Sequence, residues 1–373
     1  MSREVKGQTV IDVFEEWSPR TYAVEGDRVG LMIGTLDKPV SRVLVALDVT
    51  DEVIEEAISA EAELIIAHHP LIFRPLTEID TAHGQGPLIE KCIKHDIAVY
   101  AAHTNLDIAP GGVNDMMADS LGLKDVEVLA PTQTENMKKI VVFSPESHAD
   151  TIRKAIGNAG AGSLGDYSHC SFFVEGTGTF MPEAEADPFI GESGRQEYVK
   201  EMRIETIVSA SDLSRVKQAM LDAHPYEEPA YDVYSLDVKD RELGLGRVGM
   251  LPEEMTIEAF ADYVKQRFNV PAVRIVGNRN KKVRRVALLG GDGNKYWKQA
   301  LSKNADIYLT GDIYYHTAQD AMLDGLSMID PGHNVEKIMK AGTKRYMDEL
   351  KDKRIEDVEW IASEVSSEPF SFI

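Results

Sequence analysis

Two adjacent histidines, His68 and His69, stand at the end of the short apolar run Leu64–Ala67 and are followed at once by Pro70. An unbroken apolar run of this length is the pattern of a strand covered on both faces, as in a parallel sheet between helices. Proline cannot continue its ladder. In open α/β sheets ligands bind at the carboxyl ends of strands, so two imidazoles at such an end are placed for a metal. The alternative is a pair of turn histidines bonded to backbone, and on these two residues alone the readings stand level.

Two further stretches tip the balance. Ile97–Ala102 reads as a second buried strand leading into His103-Thr104-Asn105-Leu106-Asp107. Far downstream, Leu326–Ile329 leads into Asp330-Pro331-Gly332-His333-Asn334-Val335-Glu336. A helical pattern begins just after Gly332, so His333 and Glu336, three apart, share one face of its first turn. His68, His69, Asp107, His333 and Glu336 form a mixed nitrogen and oxygen set of the kind that hard and borderline divalent metals prefer. Neighbours in an extended backbone point to opposite sides, so a single ion is hard for both His68 and His69 to reach. Two ions with carboxylates shared between them suit the pair better.

The elements that must carry these residues alternate. Strands at 42–46, 64–67 and 97–102 are separated by helices at 52–60 and 87–94, with another helix reaching about 121, and the βαβαβα order implies a mostly parallel sheet with helices on both faces. The segment 27–31 reads as turn-rich. After about residue 130 the character changes. Two strand-helix-strand passes, with a hairpin expected at 171–180 around Glu175-Gly176 and an acidic loop at 182–194, suggest a small ferredoxin-like unit. Residues 131–241 therefore read as a domain inserted into an α/β body made of 1–130 and 242–373. From about 244 the α/β pattern returns, its strands ending in Gly290-Gly291-Asp292-Gly293, Thr310-Gly311-Asp312 and the His333 turn, with a final strand near 358–362.

The chain has 373 residues, enough for two or three domains, and a formal charge of -22. That balance argues against a nucleic-acid partner. The two cysteines, Cys92 and Cys170, make no disulfide framework and no thiolate zinc site. No apolar run approaches membrane-spanning length, and a soluble cytoplasmic protein is expected.

Some motifs weigh less. Gly244-Leu245-Gly246-Arg247-Val248-Gly249 fits G-x-G-x-x-G, yet Leu251-Pro252 follows where a dinucleotide fold needs a helix to open. The glycines at 290–293 offer backbone N–H groups to an anion only weakly. Asn105, Asp312 and His316 are candidates for orienting a substrate at the same mouth. Capping roles for the first two, and a helix-surface position for His316, are the alternatives.

Together, His68-His69-Pro70, His103 to Asp107, Gly244 to Gly249, Thr310-Gly311-Asp312 with His316, and Gly332-His333 with Glu336 resemble the NIF-three-like family (NGG-one-interacting factor three), whose bacterial members are often labelled GTP cyclohydrolase I type 2 homologs. The likeness covers roughly 1–130 and 242–373. It implies a dinuclear metal centre held by His68, His69, Asp107, His333 and Glu336 in a toroidal homohexamer. For the insert it implies similarity to the PII and CutA type of ferredoxin-like domain.

Two divalent ions, with zinc, iron or manganese expected, would activate a water and polarise a substrate. His103 is placed to act as general base or to orient that water. The expectation is metal-dependent hydrolysis of a small nucleotide-like molecule, cyclohydrolase chemistry included. The alternative is a non-catalytic metal-binding scaffold with the insert as sensor or partner module.

Overall fold

The computed structural model describes residues 4–350 and 352–373. The chain divides into two compact units, a body made of Met1–Gln133 with Leu243–Ile373, and a second unit, Thr134–Glu242.

The body begins with helix α1 (Gly7–Trp17), strands β1 (Gly30–Ile33) and β2 (Arg42–Ala46), helix α2 (Asp51–Ser59), strand β3 (Leu64–Ala67), helix α3 (Gly86–Lys94), strand β4 (Ala98–Ala101) and the short helices α4 (Thr104–Ile108) and α5 (Val113–Ser120). Every residue of β3 and β4 is buried, as an apolar run without alternation requires of a strand covered on both faces. The Thr50 hydroxyl caps α2 by accepting from the Val53 N–H at 3.3 Å, and Asp51 and Glu52 follow at the positive end of the helix dipole. Strands β5 (Lys124–Pro145) and β8 (Tyr231–Thr256) each pass from one unit into the other.

Between them the second unit adds α6 (Ala149–Asn158), β6 (Phe172–Phe180), β7 (Glu197–Ser209) and α7 (Leu213–Ala223). Its strands lie in the order β6-β7-β5-β8. Ile140, Val142, Ile204 and Val208 of the sheet share a core with Ile152 and Ile156 of α6 and Val216 and Met220 of α7. The expected hairpin at 171–180 is absent. Residues 172–180 form one strand paired with β7 from Phe172↔Glu205 to Phe180↔Glu197. Glu175 and Gly176 keep negative φ, so nothing reverses the chain there.

The rest of the body comprises α8 (Ile257–Phe268), β9 (Arg274–Val276), β10 (Lys282–Asp292), α9 (Trp297–Ser302), β11 (Ile307–Gly311), α10 (Tyr315–Leu323), β12 (Ser327–Asp330), a 3₁₀ turn at His333–Lys337, α11 (Ile338–Glu349) and β13 (Glu359–Ala362). One body sheet runs β1-β4-β3-β2-β13 and is parallel except for β1; the strands β8-β10-β11-β12-β9 are parallel only among β10, β11 and β12. The fold is thus mixed α/β with several sheets. The segment that reads as turn-rich runs into β1 at Gly30, and β9 was not anticipated. The final strand leaves its own half of the sequence and pairs with β2. A single core joins the two sheets, taking Val43, Val45, Leu64 and Ile66 from one, Val286, Leu288, Ile307 and Leu309 from the other, and Phe14, Met117, Phe260 and Met339 from α1, α5, α8 and α11.

Candidate metal centre

The carboxyl ends of β3, β4 and β12 deliver the chemistry-bearing residues to one place. Beyond β3 the ladder continues for two residues, the His68 N–H donating to Ala46 O at 3.0 Å and the His69 N–H to Leu47 O at 2.9 Å. Beyond β4 the chain turns into α4, where the Asp107 N–H donates to His103 O at 3.1 Å and folds Asp107 back toward His68. His333 and Glu336 lie on the 3₁₀ turn after Gly332.

Glu336 stands at the centre with 3% of its surface exposed. Its Oε1 is 3.7 Å from His68 Nε2, while its Oε2 is 3.0 Å from His69 Nε2 and 3.3 Å from His333 Nε2. Asp107 Oδ1 lies 3.6 Å from His68 Nε2. Two groups of donor atoms result, His68-Asp107-Glu336 and His69-His333-Glu336, which share the one carboxylate; His103 joins His68 and His69 in a third.

Each imidazole is oriented through its other nitrogen. His68 Nδ1 donates to Ala102 O at 2.8 Å, His69 Nδ1 to Asp48 Oδ1 at 2.7 Å, His103 Nδ1 to Asp27 Oδ1 at 2.9 Å, and His333 Nδ1 to Asp312 Oδ2 at 2.7 Å. A partner on Nδ1 fixes the tautomer and turns Nε2 into the cluster, an arrangement also found around metal-bound histidines. His68 Nε2 and Asp107 Oδ1 are buried without any hydrogen-bond partner. Leaving two such atoms unsatisfied costs about 1–3 kcal/mol each or more, so the site fits a cation that would meet them both.

The electrostatics agree. Burial alone would lower the pKa of His69, but Asp48 and Glu336 push it up to about 10; His333 is likewise raised to about 9 by Glu336 and Asp312 against burial. Burial pushes Asp107 up to about 6. Burial also works to raise Glu336, yet the surrounding imidazoles hold it well below the usual carboxylate range. The cluster is built to hold positive charge, whether protons or metal.

Gly290 and Gly291, at the end of β10, back the central carboxylate. A Cβ on Gly290 would lie 2.7 Å from Glu336 Oε1; one on Gly291 would lie 2.8 Å from the same atom and 3.2 Å from His333 Nε2, in a backbone with φ +61°. These glycines clear room for the Glu336 carboxylate rather than cradle an anion. Asp292 accepts the Tyr314 hydroxyl at 2.6 Å and the Asn294 N–H at 3.0 Å. The G-x-G-x-x-G segment lies inside β8, where Arg247 is buried, paired with Asp115 and donating to Gly244 O and Gly246 O at 3.0 and 2.8 Å.

Of the three residues expected to orient substrate, Asp312 lines the cavity over the cluster, bonded to His333. The other two are displaced. Asn105 is fully buried and donates to Ser18 O and Ser18 Oγ at 2.9 and 3.0 Å, so it braces α4 rather than faces a ligand. His316 lies exposed on the first turn of α10 with its ring against Tyr315, outside the cavity lining. The sequence reading missed Asp27 and Asp48, whose one signal was position: Asp48 ends β2 as the histidines end β3. It also missed the cavity wall. That cavity, about 1080 Å³, is lined by His69, His103 and His333 and by Phe73, Phe370 and Phe372, among others.

Known proteins were compared with the chain. A protein from Halalkalibacterium halodurans named GTP cyclohydrolase 1 type 2 homolog is 58% identical over 98% of this chain and 99% of its own length. One of the same name from Bacillus subtilis is 52% identical over the whole of both chains. A crystal structure of a Bacillus cereus protein related to NIF3 superposes with a TM-score of 0.89 at 55% identity, covering both chains completely. The family model Duf34/NIF3 (NGG1p interacting factor 3) matches residues 5–369, and the chain belongs to that family.

Proposed function

We propose that the body binds two divalent metal ions and uses them to hydrolyse a small, nucleotide-like molecule. The observation that carries this reading is the sharing of Glu336 between two sets of Nε2 atoms, each imidazole locked by a partner on Nδ1. His68, Asp107 and Glu336 would hold one ion, and His69, His333 and Glu336 the other, with zinc, iron or manganese suited to the donor set. Bound there, two divalent ions would polarise the substrate and supply a nucleophilic water at neutral pH.

The chain's own residues do the rest. His103 has its Nδ1–H committed to Asp27, which also accepts the Thr104 hydroxyl at 2.5 Å, so Nε2 is the atom left to take a proton from the attacking water. Asp312 holds His333 and stands where it can orient a substrate. The phenylalanines of the cavity wall, each more than half exposed, present apolar surface to a ligand with an apolar face. Cyclohydrolase-type ring opening is the first reaction to try, given how the relatives are named. The protein is taken to be cytoplasmic and to assemble as a homohexamer.

The second unit supports a second reading, because it has its own core. A ferredoxin-like, PII/CutA-like domain inserted at about 131–241 would make the body a metal-binding scaffold and the insert a sensor or partner module. One experiment separates the two. Purified, metal-loaded protein is screened against nucleotides, phosphoesters and amides beside its His103→Ala variant. Turnover abolished by chelator, restored by metal and lowered about 10²–10⁴-fold in His103→Ala with both ions retained supports the enzyme. No turnover while fully metallated sinks it.

A further inference from the structure

Among the described residues, the segment after β13 is tied to the body by a series of bonds that stops at one serine. The Ser363 N–H donates to Val45 O at 2.8 Å, the Ser363 hydroxyl to Glu56 Oε2 at 2.5 Å and the Glu364 N–H to Glu56 Oε1 at 2.7 Å. Lys340 Nζ donates to Val365 O at 2.9 Å. The Ser367 hydroxyl then donates to Asp48 Oδ2. Farther on, the Phe370 N–H bonds only within its own segment, to Glu368 Oε1 at 3.0 Å. Ser367 to Phe372 nevertheless line the cavity over the metal cluster.

Asp48 is therefore held from both sides. Its Oδ2 accepts from Ser367 and its Oδ1 from His69 Nδ1 at 2.7 Å, while His69 Nε2 lies 3.0 Å from Glu336 Oε2. The Asp48 side chain is 36% exposed. With one oxygen released it could rotate about χ2 and exchange its partner for water, and the His69 ring would lose its fixed plane. His68 has no such dependence, since its Nδ1 partner is a backbone carbonyl inside the sheet. His333 depends on Asp312, for which no hydroxyl partner is seen among the described residues. Among the described residues, hydrogen bonds from the segment beyond β13 reach only the His69 half of the centre.

We propose that Ser367 is a positioning residue for the metal centre: its hydroxyl fixes Asp48, and through Asp48 the Nε2 atom of His69. The inference rests on the metal-binding reading for its consequence but on geometry alone for its contact, which allows the two to be tested apart.

The test uses full-length wild type, Ser367→Ala, Ser367→Thr and a chain lacking residues 369–373. In metal-free protein, the downfield proton signal of the His69 Nδ1–H, assigned by its loss in His69→Ala, should shift and broaden by exchange in Ser367→Ala. It should be retained in Ser367→Thr and in the shortened chain. Cobalt(II) affinity is then measured by competition with a chelator in a His68→Ala background, so that the ion held by His69, His333 and Glu336 is read alone. Ser367→Ala should weaken that ion about tenfold, the low end of what losing an outer partner costs, with Thr restoring it and the deletion leaving it unchanged. An unmoved proton signal in Ser367→Ala overturns the proposal whatever cobalt does. So does a shortened chain that behaves like Ser367→Ala, since the segment would then act by packing alone. A signal that responds in a protein that takes up no cobalt leaves Ser367 in place and removes the metal reading instead.

Discussion

Replacing Glu336 by Gln is the sharpest perturbation of the centre, because it keeps the shape of the side chain and removes only its charge. In the metal-free protein that carboxylate faces three imidazoles at 3.0, 3.3 and 3.7 Å. At an effective dielectric constant of about 20, each contact with a protonated ring is worth roughly 4–6 kcal/mol before hydration is counted. A divalent ion in the same position feels at least as much. Since both donor groups use Glu336, the two ions should be lost together. The loss of about 4 kcal/mol corresponds to about three decades in affinity, so at micromolar protein the metal content should drop from close to two ions per chain to a small fraction of one. His68→Ala, by contrast, should remove one ion and keep the other. The assay is elemental analysis after gel filtration, paired with chelator competition, and circular dichroism confirms the fold. Were Glu336→Gln to keep one ion at the wild-type affinity, the sites would be independent and the shared-carboxylate argument would be wrong.

Three further outcomes are expected. Near pH 7, metal-free His69 and His333 are protonated, because their pKa values of about 10 and about 9 lie above that pH; ligation requires neutral imidazole. Metal uptake should therefore release about two protons per chain from these two rings, read calorimetrically in buffers of different ionisation enthalpy, and that part of the release should fade as pH rises through 9 to 10. Gly291→Ala should destabilise the protein by at least about 1–2 kcal/mol from its left-handed backbone alone and lower metal content as well; an unchanged denaturation midpoint would contradict the crowding at Glu336. Replacing residues 134–242 by a short Gly/Ser linker should leave a folded, metal-loading body, since Thr132 Oγ1 donates to Leu243 O at 3.3 Å and the two crossing points are neighbours; loss of metal with the body intact would assign the second unit a part in the site.

What was readable in the sequence was what local pattern alone determines. Leu64–Ala67 announces a strand buried on both faces, and its abrupt end in His68-His69 marks a site. The three-residue spacing of His333 and Glu336 places them on one turn, and the structure brings both to the histidines of β3. Asp27 and Asp48 were not readable in the same way. An Asp that orients an imidazole differs from an Asp that caps a turn only in what stands opposite, and here the partner is 76 or 21 residues away. His316 and Asn105 failed for the converse reason. Lying near a strand end in sequence does not settle which way a helix turns its side chains, and α10 leaves one exposed while α4 buries the other. The pairing of β13 with β2 is of the same kind, because an apolar tetrapeptide carries no record of which sheet edge will accept it.

The separation of His69 from its partner Glu336 by 267 residues would have a consequence for how the protein acquires the proposed metal. At synthesis rates of about 5–20 residues per second, the two leave the ribosome roughly 15–50 s apart. For most of that interval the nascent chain displays His68, His69 and Asp107 without the carboxylate that joins them, while all of residues 134–242 is made in between. A chain interrupted before residue 333 presents an open trio of donors that any passing divalent ion can visit but none can bridge. If the centre binds metal as proposed, holding it firmly would be a mark of completed synthesis. On the metal-binding reading, an ion in the finished protein would be selected from what the cell offers after translation, not during it.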